Sequence, residues 1–168
     1  MSSPDNTRTK RLATAAILAT LALMFSYVEA MIPLSLTMPG VKLGVANLVI
    51  IVALYKLDFK YAFAINLVRI IISGLLFSGL FGMVYSMAGG ILSLIVMALL
   101  KKTNLFSIVG VSMAGGVAHN IGQILMASFL VSDLRMFIYL PVLMFSGIAS
   151  GIVIGYISYY ILNRGFIK

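Results

Sequence analysis

Apolar residues run in long blocks along this chain, and the polar residues that part them fall in short clusters: "NTRTKR" at 6–11, "YKLDFKY" at 55–61, "KKTN" at 101–104 and "SDLR" at 132–135. A hydrocarbon core about 30 Å thick takes roughly 20 helical residues to cross, fewer where a helix is short and partnered. The blocks predict six spans, at 12–32, 44–56, 60–78, 82–100, 106–131 and 136–162. The second is short. It follows "IPLSLTMPGVKLG" (32–44), where Pro33 and Pro39 break helix and Gly40 and Gly44 permit tight turns, so an irregular, membrane-embedded external loop is expected there.

Composition agrees with that pattern. Of 168 residues 62% are hydrophobic and 10% charged, with a strongly positive mean hydropathy, which is the balance of an integral membrane protein. The absence of cysteine removes disulfides and thiolate metal sites, and without tryptophan any aromatic belt falls to the eight tyrosines. A net charge of +8 would point a soluble protein toward nucleic acid, but here the positive residues sit between spans and speak of orientation. Nucleic acid is therefore not an expected partner; the lipid membrane is. With both termini inside, Arg8, Lys10, Arg11, Lys56, Lys60, Lys101, Lys102, Arg164 and Lys168 are cytoplasmic, only Lys42 and Arg135 are external, and Arg69 lies within a span. The reading is a cytoplasmic tail over 1–11 and one transmembrane domain over 12–168, its first helix retained rather than cleaved because no A-x-A-like site follows it.

Ionisable groups within spans are costly and face a bundle interior or a cavity. On the third segment Asn66, Arg69 and Ser73, at i, i+3 and i+7, share a face. Arg69 either snorkels and pairs with carbonyls or meets a ligand. On the fifth, "GGVAHNIGQ" (115–123) carries the chain's one histidine, and the spacing sets His119, Asn120 and Gln123 on one side near mid-depth, among glycines and alanine that let another helix come close. These groups either bond across a helix contact or line a cavity. Outside, Glu29, Lys42 and Asn47 gather around the Pro-Gly loop as ligand contacts or as an interfacial anchor and surface ion pair. Ala15-x-x-x-Ala19, with Ala16 and Ala22 nearby, makes a strip on which another helix can lie, within this chain or in a partner. "SMAGG" occurs at 86–90 and 112–116, on helices expected to be antiparallel, and reads as two close-packing patches rather than a repeat. The four carboxylates form no diphosphate–magnesium motif, and there is no P-loop, HExxH or nucleophile elbow, so no enzyme is expected.

"MPGVKLGVANLV", behind a first helix ending in "EAMIP", together with "GGVAHNIGQ", resembles the bacterial Gx transporter family, also labelled heptaprenyl diphosphate synthase component I, over nearly the whole chain. That family is similar in layout to the substrate-binding S components of energy-coupling factor (ECF) transporters. The resemblance implies an all-α bundle of six transmembrane helices in a bacterial plasma membrane, N-in and C-in, binding a small molecule; Lys42, Arg69 and His119 outnumber Glu29 among the groups that could line its site, so an anionic or amphipathic substrate is expected. It also implies a transmembrane coupling (T) subunit docked on the helix-1 strip, Ala15 and Ala19 here, and two ATPases that alone would use ATP. The chain itself needs no cofactor. Members also occur beside genes of flavin-based extracellular electron transfer in Gram-positive bacteria, which implies the alternative of a non-transporting membrane module in an electron-transfer, quinone or isoprenoid pathway. Synthase chemistry fits badly, since holding magnesium and diphosphate takes carboxylates this chain lacks.

Overall fold

A computed structural model describes residues 4–31 and 44–164. In chain order they form α1 (Pro4–Met31), α2 (Val45–Lys56), α3 (Phe59–Ser73), a π-helical turn (Gly74–Ser78), α4 (Gly79–Thr103), α5 (Ile108–Val131), a 3-10 turn (Leu134–Tyr139) and α6 (Leu140–Asn163). No strand occurs among the described residues. Four helical stretches are long and apolar enough to cross a membrane: Thr7–Met31, Phe59–Thr103, Ile108–Val131 and Leu134–Asn163.

The 45 residues of Phe59–Thr103 are helical throughout, and at about 1.5 Å per residue would overshoot any bilayer if straight. They fold back instead. A Cβ placed on Gly90 would stand 2.9 Å from the Asn66 amide nitrogen, and one on Gly74 would stand 2.6 Å from Met83 Cβ, so α3 and α4 run antiparallel. Widening over Gly74–Ser78 and Gly79 at φ 68°, ψ 175° make the reversal, a conformation open to a residue without Cβ.

Helix α2, at 12 residues, is shorter than the bilayer's hydrocarbon core, and it fills the core of the bundle. "VANLVIIVALYK" is apolar all round, as a helix enclosed on every side must be, and Val49 through Leu54 are buried without interruption. Leu18 and Ala22 of α1, Ala62 and Ile65 of α3, Leu94 and Met97 of α4, Val111 of α5 and Ile154 of α6 complete that core. Charge holds both ends of α2. The Gly44 N–H donates to Glu29 Oε1 at 2.6 Å, and Lys101 Nζ donates to the Leu54 main-chain oxygen at 2.6 Å. An anion at the N-terminus and a cation at the C-terminus each complement the helix dipole.

Around this core α4 packs on α3 and α5, α5 on α6, and α1 on α2 and α3. The α5–α6 contact runs along Gly147, Gly151 and Gly155, four apart on α6: Gly147 lies against the Gly116 backbone, and a Cβ on Gly151 or Gly155 would come within 2.6 or 2.7 Å of the Cα of Met113 or Val109. Small residues at that spacing let two backbones touch. Both "SMAGG" copies serve such crossings, through Gly89 and Gly90 on α4 and Gly115 and Gly116 on α5.

Two boundaries differ from expectation. Helix α1 reaches back to Pro4, through residues read as tail; proline suits the first position of a helix, where its missing N–H would have no partner in any case. Helix α6 begins at Leu140 because residues 134–139, counted partly into the last span, wind as a separate 3-10 turn whose Asp133 cap accepts from Arg135 N.

Candidate functional site

Arg69 lies ten residues into α3, about 15 Å along its axis, and is 7% exposed. Its Nη2 donates to Asn66 Oδ1 at 2.8 Å, one turn back on the same helix. Nη1 reaches Ser26 Oγ on α1 at 3.5 Å, a long and weak contact. Nε has no partner among the described residues. The expected face of Asn66, Arg69 and Ser73 therefore exists and is buried, and Arg69 reaches from it toward α1. Ser73 spends its hydroxyl on Ile70 O, at 3.2 Å. Ser26 was not singled out from the sequence; a serine on an apolar helix is easily read as a back-bonded one, which it also is, donating to Ala22 O at 2.9 Å.

Glu29 is one turn beyond Ser26 on the same face of α1, half-buried, and its charge acts on Arg69 through space while the carboxylate itself is held by Gly44 N–H. Asn47 stands beside it: its N–H donates to Gly44 O at 2.8 Å, and its side chain lies near the position of a Cβ on Gly44. The structure thus joins Glu29 and Asn47 through Gly44 and sets Glu29 a turn from the Ser26–Arg69–Asn66 group. Lys42 lies outside the described residues, as does most of the Pro-Gly loop.

The fifth-helix trio divides. His119 and Gln123 press on α4: a Cβ on Gly89 would stand 2.7 Å from Gln123 Cγ and 3.1 Å from His119 Cε1. Asn120 turns to α6, where Nδ2 donates to Leu143 O at 2.6 Å. One side for all three was too coarse a reading, because successive helical residues diverge by about 100°. The Arg69 and His119 groups do not share a chamber either. Asn66 rests on Gly90 and His119 on Gly89, so the backbone of α4 passes between them. That separation follows from antiparallel hairpin packing, which spacing within one helix does not carry.

Ala15 and Ala19 are half-buried and pack in part on the core, while Ala16 between them is exposed. Two cavities among the described residues lie on the outer face of α4 and α5: one of about 380 Å³ lined by Met83, Met87, Ile91, Ile95 and Met126 among others, and one of about 300 Å³ lined by Leu92, Gly122, Leu125 and Phe129. They are apolar creases, and none of the candidate polar residues lines them.

The profile described as heptaprenyl diphosphate synthase component I matches residues 18–161. The chain belongs to that family. Within the heptaprenyl diphosphate synthase component I match lie Glu29, Asn47, Asn66, Arg69, His119, Asn120 and Gln123, and Ala19 of the α1 strip; Ala15 falls just before it. No curated protein and no solved structure matches the chain. Family membership and the long apolar helices together make this a membrane component.

Proposed function

We propose that this chain is the substrate-binding membrane subunit of an ECF-type importer in a bacterial plasma membrane, six spans with both termini cytoplasmic in one domain, that takes up a small anionic or amphipathic molecule. The observation that carries this reading is Arg69: a guanidinium buried at mid-depth, with weak help from Ser26, one firm bond to Asn66 and a donor left over. A purely structural arginine would gain by using every donor, since an unmet buried N–H is costly. A ligand carboxylate or phosphate is the partner such a fork suits.

The partly open Ala15–Ala19 strip, with Ala16 exposed beside it, supports a docked coupling subunit, and two ATPases would supply the energy. Catalysis by this chain is not part of the reading. Glu29, Asp58 and Asp133 stand at the ends of different elements, whereas magnesium-diphosphate chemistry requires carboxylates that converge. A second reading is a non-transporting module of a flavin, quinone or isoprenoid pathway, and the family description favours its isoprenoid form.

Gentle purification followed by native mass spectrometry separates the two. Co-purified coupling subunit and ATPases with a retained small molecule support import; flavinylated or quinone-pathway proteins in their place support the second reading and overturn the first.

A further inference from the structure

We propose that the reversal between α3 and α4 does not emerge into water: it turns inside the bilayer, with Leu75, Leu76, Leu80 and Phe81 set among the acyl chains of the leaflet away from Lys60 and Lys101. These four side chains are 70–74% exposed and form an apolar tip. The other described connections are of a different kind. Those at 57–58, 104–107 and 132–133 each leave the helix, and they carry Asp58, Asn104 with Ser107, and Ser132 with Asp133. Between Arg69 and Tyr85, by contrast, the chain holds no polar side chain but Ser73 and Ser78, and the whole of Phe59–Thr103 is helical. A connection lying in water needs neither feature. Hydrocarbon requires both, because polar side chains and unwound backbone find no partners there.

Length agrees with this depth. From Phe59 to Ser78, the 15 residues of α3 and 5 of the π-helical turn rise at most about 30 Å, which is the thickness of the hydrocarbon without its headgroup layers. Asp58 and Lys60 stand where that climb starts, at the charged end of the bundle, so the turn is complete before the far headgroups are passed. Helix α5 supplies a second measure. Its Gly122 lies against Ala88 and Gly89 of α4, and nine residues lead from that crossing to Gly79 on α4 and nine to Val131 on α5. At the level of the tip α5 still presents Phe129 and Val131, apolar and exposed, and Asp133 and Arg135 come only beyond it. Phe77 packs edge-on against Tyr27 of α1, ring centres 5.8 Å apart, so the tip is held to the bundle and does not project as a free arm. Acyl chains are the solvent at that depth, and the tip needs no partner protein to be kept from water.

The test uses the full chain in nanodiscs, which leave both membrane faces open to solutes. One nitroxide label at a time is placed on Leu76→Cys, Leu80→Cys or Thr103→Cys; a chain without native cysteine makes each label unique. Residues 76 and 80 point outward, so both variants are expected to stay monodisperse, and either one suffices for the measurement. Relaxation of the label by oxygen, which concentrates in hydrocarbon, is compared with relaxation by a neutral nickel chelate, which stays in water. The oxygen-to-nickel ratio is expected to be several times higher at 76 and 80 than at 103, beside the basic end of α4. A ratio at 76 and 80 equal to that at 103 puts the tip in water and overturns the proposal. Weak relaxation by both reagents puts the tip under protein, a partner or a second copy of this chain, and overturns it equally.

Discussion

Lys101 on α4 donates from Nζ to the main-chain oxygen of Leu54 at 2.6 Å, with its ammonium 4.9 Å from the centre of the Tyr55 ring. This is the counterpart, at the other end of α2, of the Glu29–Gly44 bond, and together the two hold a helix shorter than the bilayer's hydrocarbon core. Lys101→Met keeps most of the aliphatic stem and loses the cap. It should lower stability by about 1–3 kcal/mol, the usual cost of leaving a partly buried carbonyl unmet next to a lost charge, whereas the exposed Lys102→Met should change it by no more than about 0.5 kcal/mol. Thermal unfolding followed by circular dichroism in detergent reads both, and equal effects would contradict the capping role.

The α5–α6 seam is closest where Gly116 meets the Gly147 backbone. A methyl group on Gly116 would have to push main chain aside, so Gly116→Ala should destabilise by about 1–3 kcal/mol or more despite alanine's better helix propensity. Gly110 has only ordinary contacts with Phe106 and Ser107 around it, and Gly110→Ala should be neutral or mildly stabilising. Melting temperatures of the two purified variants make the comparison.

Orientation can be read chemically because the chain has no cysteine. Leu134, 78% exposed at the start of the 3-10 turn, and Thr103, exposed at the end of α4, lie on opposite sides of the membrane in the proposed topology. A cysteine at 134 should react with an impermeant maleimide in whole cells and one at 103 only after lysis. The reverse pattern would turn the topology over.

Much of this architecture was legible in the chain. The apolar blocks and their basic punctuation locate α3, α4 and α5 to within a few residues, and the mid-span ionisable groups announce the buried Arg69 cluster. What periodicity cannot carry is which helix lies opposite. Asn120 belongs to α6 and His119 to α4 because of how three helices cross, and a one-helix reading has no access to that. The Gly147-x-x-x-Gly151-x-x-x-Gly155 ladder is a signal of close helix packing that the sequence does carry, in small residues four apart. The role of α2 as enclosed core was hidden differently: a helix apolar on all sides reads the same against lipid as against protein.

The α1 strip offers a graded test of partner docking. Ala16 faces outward, so Ala16→Trp should leave the isolated protein monodisperse and melting within about 0.5 kcal/mol equivalent of the unmodified chain, while recovery of a coupling-subunit complex falls. Ala15→Leu with Ala19→Leu crowds the core as well and should lose complex and stability together. Full complex recovery with Ala16→Trp would remove this face from the interface.

The central claim is that the buried guanidinium of Arg69 holds a ligand. Lysine in its place keeps the charge but lacks the planar fork and the Nε–H. Native mass spectrometry of the gently purified protein, run in parallel on the unmodified chain and Arg69→Lys, tests it most directly. The account predicts a small molecule retained by the first and weakened at least about tenfold, roughly 1.4 kcal/mol, in the second, with both proteins monodisperse. Equal retention by a folded Arg69→Lys protein would contradict it.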